Sequence, residues 1–322
     1  MARIKKDVYD LRAKLEQIYG KKEIGEKPLV SIVSPTIDSL YFDTVLAALK
    51  HGRINPIDSG SFAGSHRLEF NKAALCVTNP TTRPLAPTAR PGIPSSTDEE
   101  SIEKYFHRYL LDGKLGPDEH YTYASWIVGM GEKILNESEV HNLEIGLIED
   151  TNQIERIEKD IQEGWRLYKK RSEKGIPRGT RLNQLEWCVN HFVEKGYGTN
   201  HCAITIGSAE GLQRYDWPWK DETERGTTEC LRNISMKIRD NKLNFSVFFR
   251  SWDLIAGLPE NLGGLTRLME YTSEWINATK KDDQPEVEVG TLYADSDGLH
   301  IYEANLNLAK LWTNLEETKK ED

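Results

Sequence analysis

The 322-residue chain is 38% hydrophobic and 9% aromatic, enough to bury a core in one large domain or two ordinary ones. Its formal charge of -9 and pI near 5.5 argue against a general nucleic-acid binder, which needs clustered surplus Lys and Arg, but leave room for a local cationic pocket. No stretch approaches the roughly 18 apolar residues of a membrane span, and the first residues, Met1-Ala2-Arg3-Ile4-Lys5-Lys6-Asp7, lack the apolar core of a secretory signal, so a cytoplasmic location is expected. Cys76, Cys188, Cys202 and Cys230 lie far apart without a CxxC, which points to neither a zinc site nor a disulfide framework.

In chain order, residues 1–28 carry a charged helical pattern (Val8, Leu11, Leu15, Ile18) that stops at Gly20, expected as a helical appendage to a single domain over 29–322. The run 29–34 reads as a strand and 39–50 as a helix closed by Gly52. Residues 76–97, rich in proline and threonine, predict an extended surface connection or lid. Thr97-Asp98-Glu99-Glu100 supplies an N-cap and an acidic first turn for an amphipathic helix through Leu111 that stops at Gly113. Two further helices are expected at 121–137 and 149–172. The second half turns β-rich: 201–207, 231–239 and 243–249 alternate, the last two joined as a hairpin by Arg239-Asp240-Asn241-Lys242. A long helix over 262–277 and a late strand at 299–302 complete an α+β fold, a twisted mixed or antiparallel sheet flanked by helices.

The chemistry concentrates in Glu229-Cys230-Leu231-Arg232 and, about twenty residues on, Phe249-Arg250-Ser251-Trp252-Asp253-Leu254-Ile255-Ala256-Gly257-Leu258-Pro259-Glu260-Asn261. A thiolate adds to an electron-poor alkene carbon better than a hydroxyl and can leave again, and a fixed cation beside it, Arg232 or Arg250, favours the nucleophilic form. Taken alone, Cys230 is better explained as a small core residue. A guanidinium and a hydroxyl at a strand end, Arg250 and Ser251, suit a phosphate monoester or form a solvated surface pair. Gly257 lets backbone approach a ligand, and the carboxamide of Asn261 matches the O4 and N3–H edge of uracil or caps the helix that follows.

Together these residues carry a resemblance. Cys-Leu-Arg, then Phe-Phe-Arg-Ser-Trp-Asp-Leu-(x)2-Gly-Leu-Pro-(x)-Asn-Leu, then Gly-Leu-His-Ile-Tyr resemble the thymidylate synthase superfamily, closest to its archaeal-type branch, and that superfamily also contains the pyrimidine nucleotide hydroxymethylases. His51-Gly52-Arg53-Ile54-Asn55-Pro56, Pro94-Ser95-Ser96-Thr97-Asp98-Glu99-Glu100 and His120-Tyr121-Thr122-Tyr123 fall in matching order, so the resemblance spans about residues 40–312 and is strongest over 228–265. It implies two large sheets packed back to back in a homodimer. It also implies addition of Cys230 to C6 of the pyrimidine, after which C5 takes a one-carbon unit from 5,10-methylenetetrahydrofolate. Arg250 and Ser251 would hold the phosphate, Asn261 the base edge, and His300 and Tyr302 the sugar 3'-hydroxyl. Asp253, with Gly257, would contact the folate, and Tyr123 would assist proton movement. The acid glutamate would stand on the helix beginning at Glu99, with Glu103 the choice and Glu100 one turn away. The partners implied are a pyrimidine nucleotide, folate and a second copy of the chain, with no metal, DNA or membrane.

The chain also departs from the family pattern. Glu229 stands where proline usually precedes the nucleophile, after the insertion-like stretch 217–226 with Trp217 and Trp219. Ile57 and Asn200-His201 stand where phosphate-binding arginines are expected, so His201, Arg53 or Arg67 would have to compensate, and the apolar closing tail is replaced by Glu-Glu-Thr-Lys-Lys-Glu-Asp. Asn261 favours thymidylate synthesis from dUMP, because cytosine-using relatives commonly carry aspartate there. The altered phosphate contacts favour 5-hydroxymethylation of a uridine or cytidine nucleotide, and a non-catalytic nucleotide-binding paralogue is the third reading.

Overall fold

A computed structural model of the chain describes residues 2–58, 62–89, 91–112, 122–128, 150–156, 158, 183–207 and 229–313. Helix α1, Ala2–Tyr19, buries Ile4, Val8, Leu11 and Leu15 along one stripe, while Ile18 stays 63% exposed. Each buried side chain of this kind is worth about 1.5–3 kcal/mol relative to exposure. Arg12 donates to the Leu49 and Gly52 carbonyls, satisfying the C-terminal end of α2, Ile37–His51, with a cation. α2 opens in a capping box, Thr36 and Ser39 each accepting from the other's backbone N–H, which places its start two residues before the expected 39.

The main sheet has six strands in the order β1-β4-β9-β7-β6-β5: β1 Leu29–Ser34, β4 Lys72–Val77, β9 Glu288–Ser296, β7 Lys242–Phe249, β6 Leu231–Arg239 and β5 Ala203–Thr205. It is mixed, with β1/β4 and β7/β9 parallel and the other pairs antiparallel. The β6–β7 hairpin turns at Asp240 (φ 52°) and Asn241 (φ 58°), the two left-handed residues that a two-residue turn of matching twist demands. Alternation along β7 sends Leu243, Phe245, Val247 and Phe249 into the core beneath α6, Gly257–Thr279. On the opposite face the register lines up Val33, Cys76, Tyr293, Ser246, Ser235 and Ala203 as one uncharged row across all six strands, with Val33 66% and Tyr293 45% exposed.

A second sheet, β2-β3-β10-β8, joins Arg53–Pro56, His66–Phe70, Leu299–Tyr302 and Trp252–Asp253. Leu68, Phe70, Leu299 and Ile301 are buried in the core. The alternate residues, Arg67, Glu69, His300 and Tyr302, share the other face, where His300 pairs with Glu69 and Tyr302 with Arg67.

Asp98 caps α3, Glu99–Lys104, by accepting from the Ser101 amide at 2.7 Å. The helix widens into a π-helical stretch, Tyr105–Asp112, which stacks Tyr105 on Tyr109 at 5.3 Å. α3 and this stretch cross α6 at Gly263 and Gly264: a Cβ on Gly263 would lie 2.7 Å from Ile102 Cδ1 of α3, and one on Gly264 would overlap the Tyr105 ring. Gly264→Ala is therefore expected to cost about 1–3 kcal/mol. A thermal melt indistinguishable from that of the parent protein would contradict so tight a crossing.

Of the helices expected at 121–137 and 149–172, α4, Ala124–Ile127, and helical residues 151–156 are seen, and most of the remainder lies outside the described residues. Helix α5, Gln184–Lys195, and strands β2, β3, β4 and β9 were not anticipated, and a short α7, Leu306–Trp312, follows β10. The mixed α+β architecture agrees with the sequence expectation. No helix among the described residues is long and apolar enough to cross a membrane.

Candidate active site

Cys230 immediately precedes β6, next to a bulge between Leu231 and Asn233 in the β6–β7 pairing, and the Arg250 amide, just past β7, donates to the Cys230 carbonyl at 2.9 Å. The strand pair thereby sets thiol and guanidinium side by side, with Arg250 Nη2 3.9 Å from Sγ. Arg250 Nε also donates to the Glu229 carbonyl at 3.1 Å, bracing the segment that carries Cys230. Arg232, the other arginine placed near the thiol by sequence, faces Glu229 instead, Nη1 to Oε2 at 3.6 Å. Glu229 is 2% exposed and its Oε1 accepts from Trp126 Nε1 at 3.0 Å. The carboxylate that replaces the usual proline is thus matched by its own cation and donor.

The Leu231 amide donates to Tyr123 Oη at 3.2 Å, fixing a buried phenol next to Cys230. Burial, then neighbouring Tyr105 and Cys230, push the Tyr123 phenol well above the ordinary tyrosine range, so it keeps its proton. The phenol of Tyr302 is also raised, by burial, by Asp253 and, further down, by Cys230. Both tyrosines sense the thiol, which stands between two clusters.

The first cluster borders a cavity of about 440 Å³ lined by Tyr105, Arg108, Tyr109 and Tyr123 on one side and Glu260 and Asn261 on the other, with Lys104 at its edge. α6 begins at Gly257, five residues before the expected 262, so Asn261 lies inside its first turns and does not cap it. Pro259 is tolerated there because the first-turn amides lack helical partners anyway. Asn261 Oδ1 accepts from Trp252 Nε1 at 2.8 Å, and the indole is stacked on Phe249 at 3.9 Å. An indole N–H can only donate, so the amide orientation is settled and Nδ2 is turned away from Trp252. Gly257 meets Asn261, Asp253 and Trp252 at 3.6 Å from an added Cβ, ordinary packing. Asp253 Oδ1 accepts from the Ile255 and Ala256 amides at 2.8 and 3.4 Å, forming the turn that launches α6.

The second cluster is the polar face of the smaller sheet. His300 Nδ1 lies 2.8 Å from the Gly298 carbonyl, which only accepts, so Nδ1 carries the proton. Burial lowers the imidazole from its ordinary value, keeping it neutral, and leaves Nε2 as a buried acceptor without a partner among the described residues. Tyr302 packs edge-on to His300 at 4.5 Å and is stacked by Phe62 at 4.2 Å. Arg67, opposite Tyr302, binds Glu69 at 2.9 Å. Ser251 is half-buried between β7 and β8.

Glu103 pairs with Arg267 at 2.5 Å and His107 at 3.7 Å and does not line the cavity, whereas Glu260, unremarked in the sequence, does. At the positions where arginines were expected, the Ile57 amide donates to the Ser65 carbonyl, Asn200 accepts from Arg239 at 2.7 Å, and His201 lies 5.5 Å from His191, ring to ring. The 217–226 stretch and the terminal tail lie outside the described residues.

A cysteine beside a guanidinium, between a tyrosine-walled cavity and a sheet face offering a buried acceptor, is the equipment of an α+β protein whose thiol can add to a small polar ligand. No family profile matches the chain. It is 25% identical over 129 residues to a protein of Methanosarcina mazei, covering 40% of this chain and 50% of the relative. It is 23% identical over 249 residues to one of Methanosarcina acetivorans, covering 77% and 79%. Both carry the name "Putative thymidylate synthase". A solved structure, the thermostable thymidylate synthase A from Bacillus subtilis, superimposes with a TM-score of 0.48 at 13% identity, covering 88% of this chain and 85% of that one. The chain is thus similar to proteins named for thymidylate synthase, and it spans about half the length of the first curated relatives it matches.

Proposed function

We propose that the protein transfers a one-carbon unit to C5 of a pyrimidine nucleotide through a covalent Cys230–C6 adduct, in the manner of a thymidylate synthase acting on dUMP. The observation that carries this reading is the placement of Cys230 3.9 Å from Arg250, with Tyr123 bonded to the next amide and bordering the cavity that displays Asn261. In this reading the thiolate adds to C6 and C5 becomes enolate-like. The co-substrate 5,10-methylenetetrahydrofolate supplies the one-carbon unit, with Asp253 and Gly257 on its side of the cleft. Arg250 and Ser251 hold the phosphate, aided by Arg67, which shares the polar face with His300 and Tyr302. His300 Nε2, an acceptor without a partner among the described residues, takes a sugar hydroxyl as donor, with Tyr302 beside it. The uncharged row across the open face of the main sheet supports a homodimer packed through that face.

Asn261 favours uracil. With Oδ1 held by Trp252, its Nδ2 offers hydrogens, which suit the carbonyl O4 of uracil and oppose the amino group of cytosine. Asn261→Asp is accordingly expected to move preference toward cytosine nucleotides, and unchanged selectivity would contradict the contact.

A second reading, 5-hydroxymethylation of UMP, dUMP, CMP or dCMP, is favoured by the altered positions Ile57 and Asn200-His201. Incubation of these four nucleotides with methylenetetrahydrofolate, with products identified by mass, separates the two. A 5-methyl product with dihydrofolate supports synthase activity, a 5-hydroxymethyl product with tetrahydrofolate supports the second reading, and no C5 product from any of the four contradicts both.

A further inference from the structure

Cys230 is bracketed in sequence by two anchors to one short helix. On one side Glu229 Oε1 accepts from Trp126 Nε1 at 3.0 Å, and on the other the Leu231 amide donates to Tyr123 Oη at 3.2 Å. Trp126 lies on α4 and Tyr123 opens that helix, the Trp126 amide donating to the Tyr123 carbonyl at 2.9 Å, so the two anchors belong to one turn. The same turn is tied to β5: Gln184 Nε2, at the start of α5, donates to the Trp126 carbonyl at 2.8 Å and to the Thr205 carbonyl at 2.9 Å.

Resting on the function proposed above, we propose that Glu229 is a positioning residue: through Trp126 its carboxylate fixes the Tyr123 phenol against Cys230 for the proton movement that accompanies C5 substitution. The cost of the arrangement supports such a role. Glu229 is 2% exposed, and a carboxylate withdrawn from water is destabilising unless fully paired. Here the pairing is incomplete, because Arg232 Nη1 stands 3.6 Å from Oε2 and neither atom has a hydrogen-bond partner among the described residues. The two groups are also packed over: a Cβ on Gly207 would lie 2.6 Å from Arg232 Nη1 and 3.0 Å from Glu229 Oε2.

An apolar side chain would fill this place without that penalty. What it would not supply is an acceptor for the Trp126 indole, whose N–H can only donate. The bond from Arg250 Nε goes to the Glu229 carbonyl, which any residue provides. The contribution particular to the glutamate side chain is therefore the link to α4, and α4 carries the phenol.

The test measures kcat for one-carbon transfer by the intact protein, using whichever of UMP, dUMP, CMP or dCMP turns over with methylenetetrahydrofolate. Calorimetric nucleotide affinity and hydrogen exchange of the Leu231 amide accompany it. Glu229→Ala and Trp126→Phe are each expected to lower kcat by about 10- to 100-fold, the scale of a misplaced reacting group, with affinity within a few-fold and Leu231 exchange faster. Glu229→Gln, which keeps an oxygen for the indole, is expected to recover most of the rate. In a Tyr123→Phe background, which lacks the phenol to be positioned, Glu229→Ala should cost less than about 2-fold more. Trp126→Phe leaves the residue beside Cys230 untouched and keeps the test decisive if Glu229→Ala folds poorly. If Tyr123→Phe falls below detection, Leu231 exchange in Trp126→Phe decides. An unchanged kcat or unchanged Leu231 exchange in Trp126→Phe, or the full loss repeated in the Tyr123→Phe background, overturns the proposal alone. A parent protein that converts none of the four nucleotides overturns the underlying function, and this proposal with it.

Discussion

Cys230→Ser is expected to abolish one-carbon transfer, lowering kcat by more than about 1000-fold, the scale on which removal of a nucleophile acts when other groups are left in place. A serine hydroxyl at Cys230 keeps the size and backbone hydrogen bonds of the site, including the Arg250 amide to residue 230 carbonyl bond of 2.9 Å, but stays protonated at neutral pH. Nucleotide affinity should therefore survive, because the proposed phosphate, sugar and base contacts come from Arg250, His300 and Asn261. The remaining cysteines do not substitute: Cys188 and Cys202 are buried together, and Cys76 lies on the main sheet in the uncharged row. Steady-state rates and calorimetric binding check both halves. A serine variant with rates near those of the parent would remove Cys230 from the mechanism.

Arg250→Ala is expected to have the next largest effect, because one guanidinium serves two tasks. Its proposed bond to a phosphate is charge-assisted, worth about 1.5–3 kcal/mol, which corresponds to roughly 10-fold to more than 100-fold in affinity. Its Nε also braces the Glu229 carbonyl, and its Nη2 faces the thiol at 3.9 Å, so kcat should fall along with affinity. Lysine, a point charge without a planar fork, should recover only part of either. Comparing nucleotide with nucleoside isolates the phosphate contribution. In affinity the alanine variant and the parent should converge on the nucleoside while the fall in kcat persists, and an equal affinity loss on both would assign Arg250 to bracing alone. Arg67→Ala should show the same nucleotide dependence with a smaller amplitude, since Arg67 shares its charge with Glu69.

Much of this arrangement could be read from the chain where the signal was local. The Asp240-Asn241 turn demanded two left-handed residues and received them, and alternation identified β6 and β7 and so put Cys230 and Arg250 on neighbouring strand ends. Strand β9 escaped notice because its partners, β4 and β7, lie far away in sequence and it alternates with small residues such as Ala294 and Ser296. Helix α5 did carry a readable signal, Asn183 as cap with Leu185, Cys188, Val189 and Phe192 at helical spacing. The widened π-helical turn at Tyr105–Asp112 has the same apolar spacing as an α-helix, so only tertiary packing against Gly263 and Gly264 reveals it.

The site shows the same division. Order along the chain gathered Cys230, Arg250, Asp253, Asn261, His300 and Tyr302, but not how each is used. That Arg232 faces Glu229, that Trp252 orients Asn261, and that the Gly298 carbonyl fixes the His300 tautomer all depend on contacts across strands and turns. Glu260 had no sequence signal separating it from a solvated first-turn acid. Its cavity is built where α3 and the π-helical stretch meet α6, more than 140 positions apart in the chain.

The central claim is that Cys230 opens C5 of a pyrimidine nucleotide to substitution. It is tested most directly by release of tritium from C5-labelled UMP, dUMP, CMP or dCMP during incubation with methylenetetrahydrofolate, parent protein against Cys230→Ser. The account predicts release from at least one nucleotide by the parent protein and none above background from the variant. Release from neither, or equal release from both, would contradict it.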